Sequence, residues 1–221
     1  MTSNDVETLV SAGEPVEVIT TEVSHHDRPL IAMATRNPGP LREALFGSVT
    51  SRVMREVSAP MLLTGPACQP VNTTWGDDGP RTILICLDRS RVADRMLPVA
   101  RRVAEALDLS VLLLYVVYPT TEPAGRTASL AAEDREMYDV LASTAAAWRH
   151  EGVDVTWEVA EGTWAPDTIV GMSVRREFDL IAMASHGHSA LKRMLTGSTT
   201  VGVLEQALVP ILTMRPTELL H

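Results

Sequence analysis

The chain has 221 residues, of which 45% are hydrophobic and 21% charged, and a formal net charge of −9. This balance excludes wholesale disorder, and because neither part of the chain is basic, nucleic acid is not an expected partner. No apolar run approaches the roughly 18 residues that span a bilayer, and the first residues lack the basic and apolar regions of a signal peptide. The two cysteines, Cys68 and Cys86, are too few for a disulfide framework. We therefore predict a cytoplasmic protein that contacts no membrane.

The N-terminal part of the chain repeats the C-terminal part. Residues 30–34, with the sequence Leu-Ile-Ala-Met-Ala, recur as residues 180–184 at an offset of 150, and matches continue without a gap to residue 62. Residues 80–150 have no counterpart, so one complete unit follows the back half of another. The predicted organisation is a partial repeat over residues 1–64, a linker over 65–79, a complete domain over 80–216 and a tail over 217–221.

The complete unit alternates short apolar runs with longer helical segments. The predicted strands cover residues 82–87, 111–117, 153–159, 180–184 and 210–214. The predicted helices cover residues 91–107 (capped by Ser90), 131–150, a segment opening at Pro166, and 192–206. Strands that alternate with helices predict an α/β fold with right-handed crossovers and a parallel sheet.

Two segments follow strands whose carboxyl ends should meet at one edge of this sheet, where ligands of open parallel sheets bind. Asp88 follows the first strand of the unit. Residues 184–187, Ala-Ser-His-Gly, follow the fourth strand, and nine residues later comes the sequence Gly-Ser-Thr-Thr at 197–200.

This arrangement resembles a universal stress protein domain. In that family the fourth strand is followed by Gly-x2-Gly-x9-Gly-Ser/Thr, the first strand ends in Asp, and the last strand follows a Pro; here the pattern is Ala184-x2-Gly187-x9-Gly197, with Asp88 and Pro210 in place. The resemblance covers residues 80–216 fully and residues 6–64 without the front two strands. It implies an open five-stranded parallel sheet of order 3-2-1-4-5 with helices on both faces, ATP binding in one branch of the family, and dimers paired through the last strand.

The residue types fit a phosphate site. Gly187 and Gly197 lack a Cβ where the chain would approach a phosphate closely. The hydroxyls of Ser198, Thr199 and Thr200 add donors near a helix N-terminus, and successive exposed N–H groups there form an anion-binding concavity. Each feature taken singly is more often a turn glycine or a capping residue, and only the joint spacing favours a nucleotide.

The remaining site residues concern the nucleoside. Asp88 could accept a hydrogen bond from a ribose hydroxyl or from the adenine amino group. The resemblance implies further nucleotide-binding positions: Leu87, Val116, Met183, Ala184 and His186. Val116 would frame the adenine through its backbone, and Met183 would pack nearby. Ala184 replaces the first glycine of the family pattern, and its methyl group narrows the approach of the phosphates.

Enzymatic signatures are missing from the sequence. It contains no phosphate-binding Gly-x4-Gly-Lys-Ser/Thr loop, no Gly-x-Ser-x-Gly elbow and no His-Glu-x-x-His helix, and no nucleophile and base are evident. The pairs His25–His26 and His186/His188 lack a third ligand, so no metal site is predicted. The leading interpretation is an ATP-binding stress-response sensor or regulator that takes ATP with Mg²⁺. The alternatives are a protein-interaction scaffold of the same fold with an empty site, or a slow ATPase.

The partial repeat poses a topological problem. Residues 35–37, Thr-Arg-Asn, replace the Ser-His-Gly of the complete unit, and no equivalent of Asp88 exists, so no nucleotide site is predicted there. The segment supplies only a third strand over residues 6–10, a fourth over 30–34 and a fifth over 61–63. Three outcomes stay open for the front: the third strand slides beside the fourth, another chain supplies the missing strands, or residues 1–27 are poorly ordered. A truncated tandem protein is a fourth explanation. We expect residues 61–63 to pair with residues 211–213, in the manner of a family dimer.

Overall fold

The structure is a computed structural model that describes residues 6–35, 48–69, 81–118, 124–185 and 198–215. Its strands are β1 (Ile31–Ala34), β2 (Met61–Thr64), β3 (Thr82–Leu87), β4 (Ser110–Val117), β5 (Val155–Glu161), β6 (Leu180–Ala184) and β7 (Ile211–Met214). Its helices are α1 (Pro15–Ser24), α2 (Ser48–Glu56), α3 (Arg91–Leu107), α4 (Ala124–His150), α5 (Ala165–Arg175) and α6 (Ser198–Gln206). Helix α4 begins seven residues earlier than predicted, and the predicted start of the last helix at residue 192 lies outside the described residues.

The seven strands of the described residues belong to one sheet of order β1-β2-β7-β6-β3-β4-β5. The five strands of the complete unit, numbered within it, lie in the order 3-2-1-4-5 that the resemblance implied, and each neighbouring pair among them is parallel. The predicted α/β class is therefore confirmed. The partial repeat contributes β1 and β2, so that the sheet has two strands more than one unit alone supplies.

Strand β2 joins the two repeats. It runs parallel to β1 on one side and antiparallel to β7 on the other, with Met61 opposite Thr213 and Leu63 opposite Ile211. The expected pairing of residues 61–63 with residues 211–213 is thus confirmed. The last strand of each repeat meets the other within a single chain.

The predicted third strand over residues 6–10 is wrong. These residues form no strand, and the side chains of Val6 and Val10 are 89% and 90% exposed. In the complete unit the matching strand, β5, pairs with β4, and the partial repeat has no segment equivalent to β4. The segment also does not slide beside β1, so this alternative is wrong too. Within residues 1–27, residues 15–24 form the helix α1.

Helices cover the two faces of the sheet unequally. Helices α1, α2, α5 and α6 pack on one face, here called the α6 face, through residues such as Val16, Val53, Ile169 and Val203. Helices α3 and α4 pack on the other, here called the α3 face, around β3, β4 and β6. Along each strand, side chains alternate between these faces.

The described helices and the two cysteines have the following properties. Among the described residues, no helix combines the length and apolar character needed to cross a membrane. Both cysteines are free thiols. Burial raises the pKa of the Cys86 thiol strongly, because that side chain lies inside the sheet, and burial also raises the pKa of the half-buried Cys68.

Candidate functional site

The carboxyl ends of β4, β3 and β6 lie side by side, with β3 in the middle. Leu87 is in register with Tyr115 on β4, and Cys86 is in register with Met183 on β6. One step further along the strands, Asp88 is level with Val116 on one side and with Ser185 on the other. Because β3 lies between β4 and β6, Asp88 is at the centre of this edge, about 4.8 Å from the strand on either side.

The loop after β3 holds the Asp88 carboxylate in place. Its Oδ1 accepts a hydrogen bond from the Ser90 backbone N–H at 2.9 Å and another from the Ser90 hydroxyl. This is an Asx turn, a local arrangement that Asp favours. Ser90 is the N-cap residue of α3, as predicted, but its side chain makes no capping bond and turns to Asp88 instead. Oδ2 of the half-buried Asp88 has no partner among the described residues, so it is the oxygen that a ligand could use.

The predicted nucleoside residues divide between the two faces of the sheet. Met183 and Val116 pack on the α6 face, Met183 being buried and Val116 half-buried. Leu87 is buried on the α3 face, so only its backbone reaches this edge from the α6 side. By alternation, Asp88 follows on the same side as Met183 and Val116. These three side chains and the start of α6 therefore share one side of the carboxyl edge.

Thr200 connects β6 to the first turn of α6. Its Oγ1 donates a hydrogen bond to the Ala184 carbonyl at 3.0 Å, and its side chain is 2% exposed. The hydroxyl is therefore engaged in a bond that positions the helix. Of the groups of Thr200 that could donate to a phosphate, this leaves the backbone N–H. Thr199 is half-buried, and Ser198 is the first residue of the nine-residue helix.

Close packing also fixes the position of α6 from its other side. A Cβ added at Gly202 would meet Pro166 Cγ at 2.8 Å, so the absence of a side chain lets α5 and α6 approach. Gln206 Nε2 donates to Asp167 Oδ1 at 3.3 Å between the same two helices. Helix α6 is held by both β6 and α5, and its N-terminus is consequently fixed at the edge that carries Asp88.

Part of the predicted phosphate loop lies outside the described residues, namely His186, Gly187 and Gly197. Its two ends are described. At the first end, the Ser185 N–H and hydroxyl both donate to the Met214 carbonyl, at 3.2 and 2.9 Å. The sequence interpretation did not recognise the structural role of Ser185, and it predicted Ser90 as a helix cap but not as the partner of Asp88. The Asp-x-Ser spacing after a strand was the available signal for Ser90.

The described residues offer no preformed metal centre, since nowhere do three or more His, Cys, Asp or Glu side chains converge within them. His26 Nε2 instead contacts Glu22 Oε1 at 3.2 Å on the exposed face of α1. His186 and His188 fall outside the described residues.

A family comparison covers both repeats of the chain. The model of the Universal stress protein family matches residues 2–65 and 79–215. The chain belongs to the universal stress protein family. The two matched segments correspond to the partial and the complete repeat, so both halves of the internal repeat resemble this family.

Individual universal stress proteins resemble the chain to different extents. Universal stress protein Slr1230 of Synechocystis sp. is 39% identical over 51 residues, which are 23% of this chain and only 18% of that protein. A universal stress protein structure from Archaeoglobus fulgidus DSM 4304 has a TM-score of 0.67 at 21% identity, covering 97% of this chain and 70% of that one. Another from Archaeoglobus fulgidus, solved in complex with dAMP, has a TM-score of 0.46 at 17% identity over 61% of this chain and 97% of its own. The dAMP is a ligand of that protein.

Proposed function

We propose that this universal stress protein binds ATP, as its magnesium complex, at the carboxyl edge of β3, β4 and β6, and acts as a nucleotide-dependent sensor or regulator of a stress response. The observation that carries the proposal is the position of Asp88. Its Oδ1 is held by Ser90, its Oδ2 has no partner among the described residues, and the N-terminus of α6 lies at the same edge.

Each part of a nucleotide has a suitable group in this arrangement. Asp88 Oδ2 would accept from a ribose hydroxyl or from the adenine amino group, while Met183 and Val116 supply apolar surface for the base. The N–H groups of the first turn of α6 and the positive end of its dipole favour the negatively charged phosphates. Magnesium would arrive with the phosphates, whose oxygens are its preferred ligands, and the described residues would hold it only through them.

Binding is proposed without rapid catalysis. The sequence has neither a phosphate-binding lysine loop nor an evident base, so hydrolysis by this chain would be slow. Both cysteines are free thiols, which fits a cytoplasmic location for a nucleotide-dependent regulator.

Ala184 favours a second candidate function, a protein-interaction scaffold of the same fold without nucleotide. Its methyl group stands where the family pattern has glycine, and its carbonyl is already engaged by Thr200. A scaffold of this kind would keep the same α5–α6 packing and would show no saturable binding of ATP.

Isothermal titration of the full chain with MgATP separates the two candidates. We expect saturable binding that weakens about tenfold or more in Asp88→Asn, because hydrogen bonds to charged groups contribute about 1.5–3 kcal/mol. Asparagine keeps an Oδ1 for the Ser90 N–H, so the Asx turn should survive. Gly197→Val should abolish binding by placing a side chain in the phosphate approach.

The internal repeat provides the matched control. Gly47 stands at the position of Gly197 in the partial repeat, which lacks an equivalent of Asp88. Gly47→Val should therefore leave ATP affinity unchanged. Absence of binding to the unmodified chain would favour the scaffold, and affinity that survives both Asp88→Asn and Gly197→Val would place the nucleotide elsewhere.

A further inference from the structure

An exposed tryptophan stands at the start of α5. Trp164 is the N-cap residue of that helix, with extended backbone (φ −144°, ψ 111°), and it is 46% exposed. Residues favoured at an N-cap are Ser, Thr, Asp and Asn, because their side-chain oxygen accepts a hydrogen bond from an N–H of the first turn. The side chain of Trp164 makes no such bond, so this residue is not explained by the needs of the helix.

The partial repeat has a capping residue at the start of its matching helix. Helix α1 precedes β1 as α5 precedes β6, and its N-cap is Glu14. Oε2 of Glu14 accepts hydrogen bonds from the N–H groups of Val16 and Glu17, at 3.1 and 3.2 Å. The repeat without an equivalent of Asp88 therefore uses its N-cap side chain for the helix, whereas the repeat that contains Asp88 has an exposed aromatic side chain there.

Hydrogen bonds and packing fix the backbone of Trp164. Its carbonyl accepts from the Thr168 N–H at 3.2 Å and from Thr168 Oγ1 at 3.1 Å. A Cβ added at Gly162 would overlap with Thr168 Oγ1, so this close approach requires a glycine. The next two residues, Ala165 and Pro166, are buried. The exposed indole is thus attached to a fixed backbone, and ligand binding would order little of the chain around it.

The end of β5 places Trp164 beside the proposed nucleoside site. Ala160 is in register with Val116, and both pack on the α6 face. Two residues later the Gly162 N–H donates to β4 at 3.0 Å, so the chain stays beside β4 up to the carboxyl edge. It then turns onto the α6 face, where α5 packs. Trp164 lies at this turn, on the side of the edge that Asp88 and Val116 share.

Helix α5 also brings Trp164 close to α6. Pro166, two residues further along, packs against Gly202 of α6. Trp164 is therefore near both the strand that carries Val116 and the helix whose N-terminus we assign to the phosphates. Within the described residues its ring contacts no other aromatic ring and no cation, and its indole N–H has no hydrogen-bond partner. The exposed part of the indole is thus accessible to a ligand at this edge.

We propose that Trp164 is the base-stacking residue of the nucleotide site and gives it a preference for purine over pyrimidine nucleotides. This inference rests on the proposed function, the binding of a nucleotide beside Asp88. Val116 and Met183 supply aliphatic surface, which distinguishes little between one base and another. A two-ring purine overlaps an indole over more area than a one-ring pyrimidine does, so stacking on Trp164 favours purines.

Calorimetric titration of the full chain with MgATP and MgCTP tests the stacking. Trp164→Leu keeps an apolar side chain without a π face and should weaken MgATP binding about tenfold, the size of effect expected for one lost base–aromatic stack. Trp164→Phe keeps an aromatic ring and should stay within about threefold of the unmodified chain. MgCTP should bind the unmodified chain more weakly than MgATP, and this difference should shrink in Trp164→Leu. Circular dichroism checks that both variants fold.

Tryptophan fluorescence gives a second readout with a matched control. The sequence holds four tryptophans, and Trp157 lies on the opposite, α3 face of β5, with its ring centroid 6.2 Å from that of Tyr138. MgATP should quench the fluorescence of the unmodified chain and of Trp157→Phe. The quench should be lost in Trp164→Phe, although calorimetry still shows binding. Trp157→Phe should also leave the affinity for MgATP unchanged.

Three results would overturn the proposal, and one of them also rejects the proposed function. MgATP affinity and a ratio of MgATP to MgCTP affinity that are both unchanged in Trp164→Leu would reject stacking and leave nucleotide binding intact. Equal losses of affinity in Trp164→Leu and Trp164→Phe would mean that Trp164 acts only through the structure of the loop. Absence of MgATP binding to the unmodified chain would reject the proposed function together with this inference.

Discussion

The two repeats show how far identical residues determine burial. Residues 30–34 and 180–184 are identical in sequence, both form strands, and both end in the same type of bond: Thr35 Oγ1 to the Thr64 carbonyl at 3.0 Å and Ser185 Oγ to the Met214 carbonyl at 2.9 Å. Their burial differs because only β6 has β3 and α3 beside it. The local sequence determines that a strand forms and which side chains share a face, whereas the burial of those side chains depends on segments that are distant in the chain.

The largest expected effect separates Ala182 from Ala32. Ala182→Glu places a carboxylate in a fully buried position with no partner and should lower the free energy of unfolding by about 4 kcal/mol or more. Ala32→Glu, at an exposed position, should change it by no more than about 0.5 kcal/mol. Urea unfolding followed by circular dichroism measures both, and equal destabilisation would contradict the difference described for the two strands.

The next largest effect concerns the strand that joins the repeats. Leu63 is fully buried on the α6 face, whereas its neighbour Leu62 is half-buried on the α3 face. Leu63→Ala should cost about 2–5 kcal/mol and Leu62→Ala about 1 kcal/mol. The same urea titration should show one transition for the whole chain. A separate early transition in Leu63→Ala would mean that the partial repeat unfolds independently.

A smaller effect is expected where β6 meets α6. Thr200→Val removes the hydrogen bond to the Ala184 carbonyl with little change of shape, and should cost about 1 kcal/mol. Because this bond positions the N-terminus of α6, the ATP affinity that we propose should fall as well. Thr50→Val, at the equivalent buried position of the partial repeat, should not alter ATP affinity in calorimetry. An equal loss in both variants would indicate a general effect of stability.

The smallest expected effect concerns the reactivity of the two cysteine thiols. The thiolate is the reactive form, and burial raises the pKa of both thiols, so less thiolate is present at a given pH than for an exposed cysteine. A chromogenic disulfide reagent should modify half-buried Cys68 slowly at neutral pH and faster as the pH rises. Cys86, buried in β3 beside β6, should react only after unfolding. Rapid modification of Cys86 in the folded protein would show that β3 opens.

Much of the fold follows from pattern in the sequence, and less of the site does. The repeat and the alternation of elements predicted the α/β class, and the family resemblance supplied the strand order. Residues 6–10 have the apolar character of a strand, but a strand needs a hydrogen-bonded neighbour, and the described residues provide none there. The use of the Thr200 hydroxyl by Ala184 could not be predicted, because it joins residues 16 positions apart whose contact depends on tertiary packing.

The antiparallel pairing with β2 gives β7 a hydrogen-bonded neighbour on its second side. With β6 on one flank and β2 on the other, the last strand has no vacant ladder left for another molecule. A family-type dimer through this strand would have to expel β2 and expose the interior side chains of Met61 and Leu63. The last strands of the two repeats therefore pair within one chain, as the last strands of two chains would in a family dimer. Association with another molecule has to use a different part of the surface.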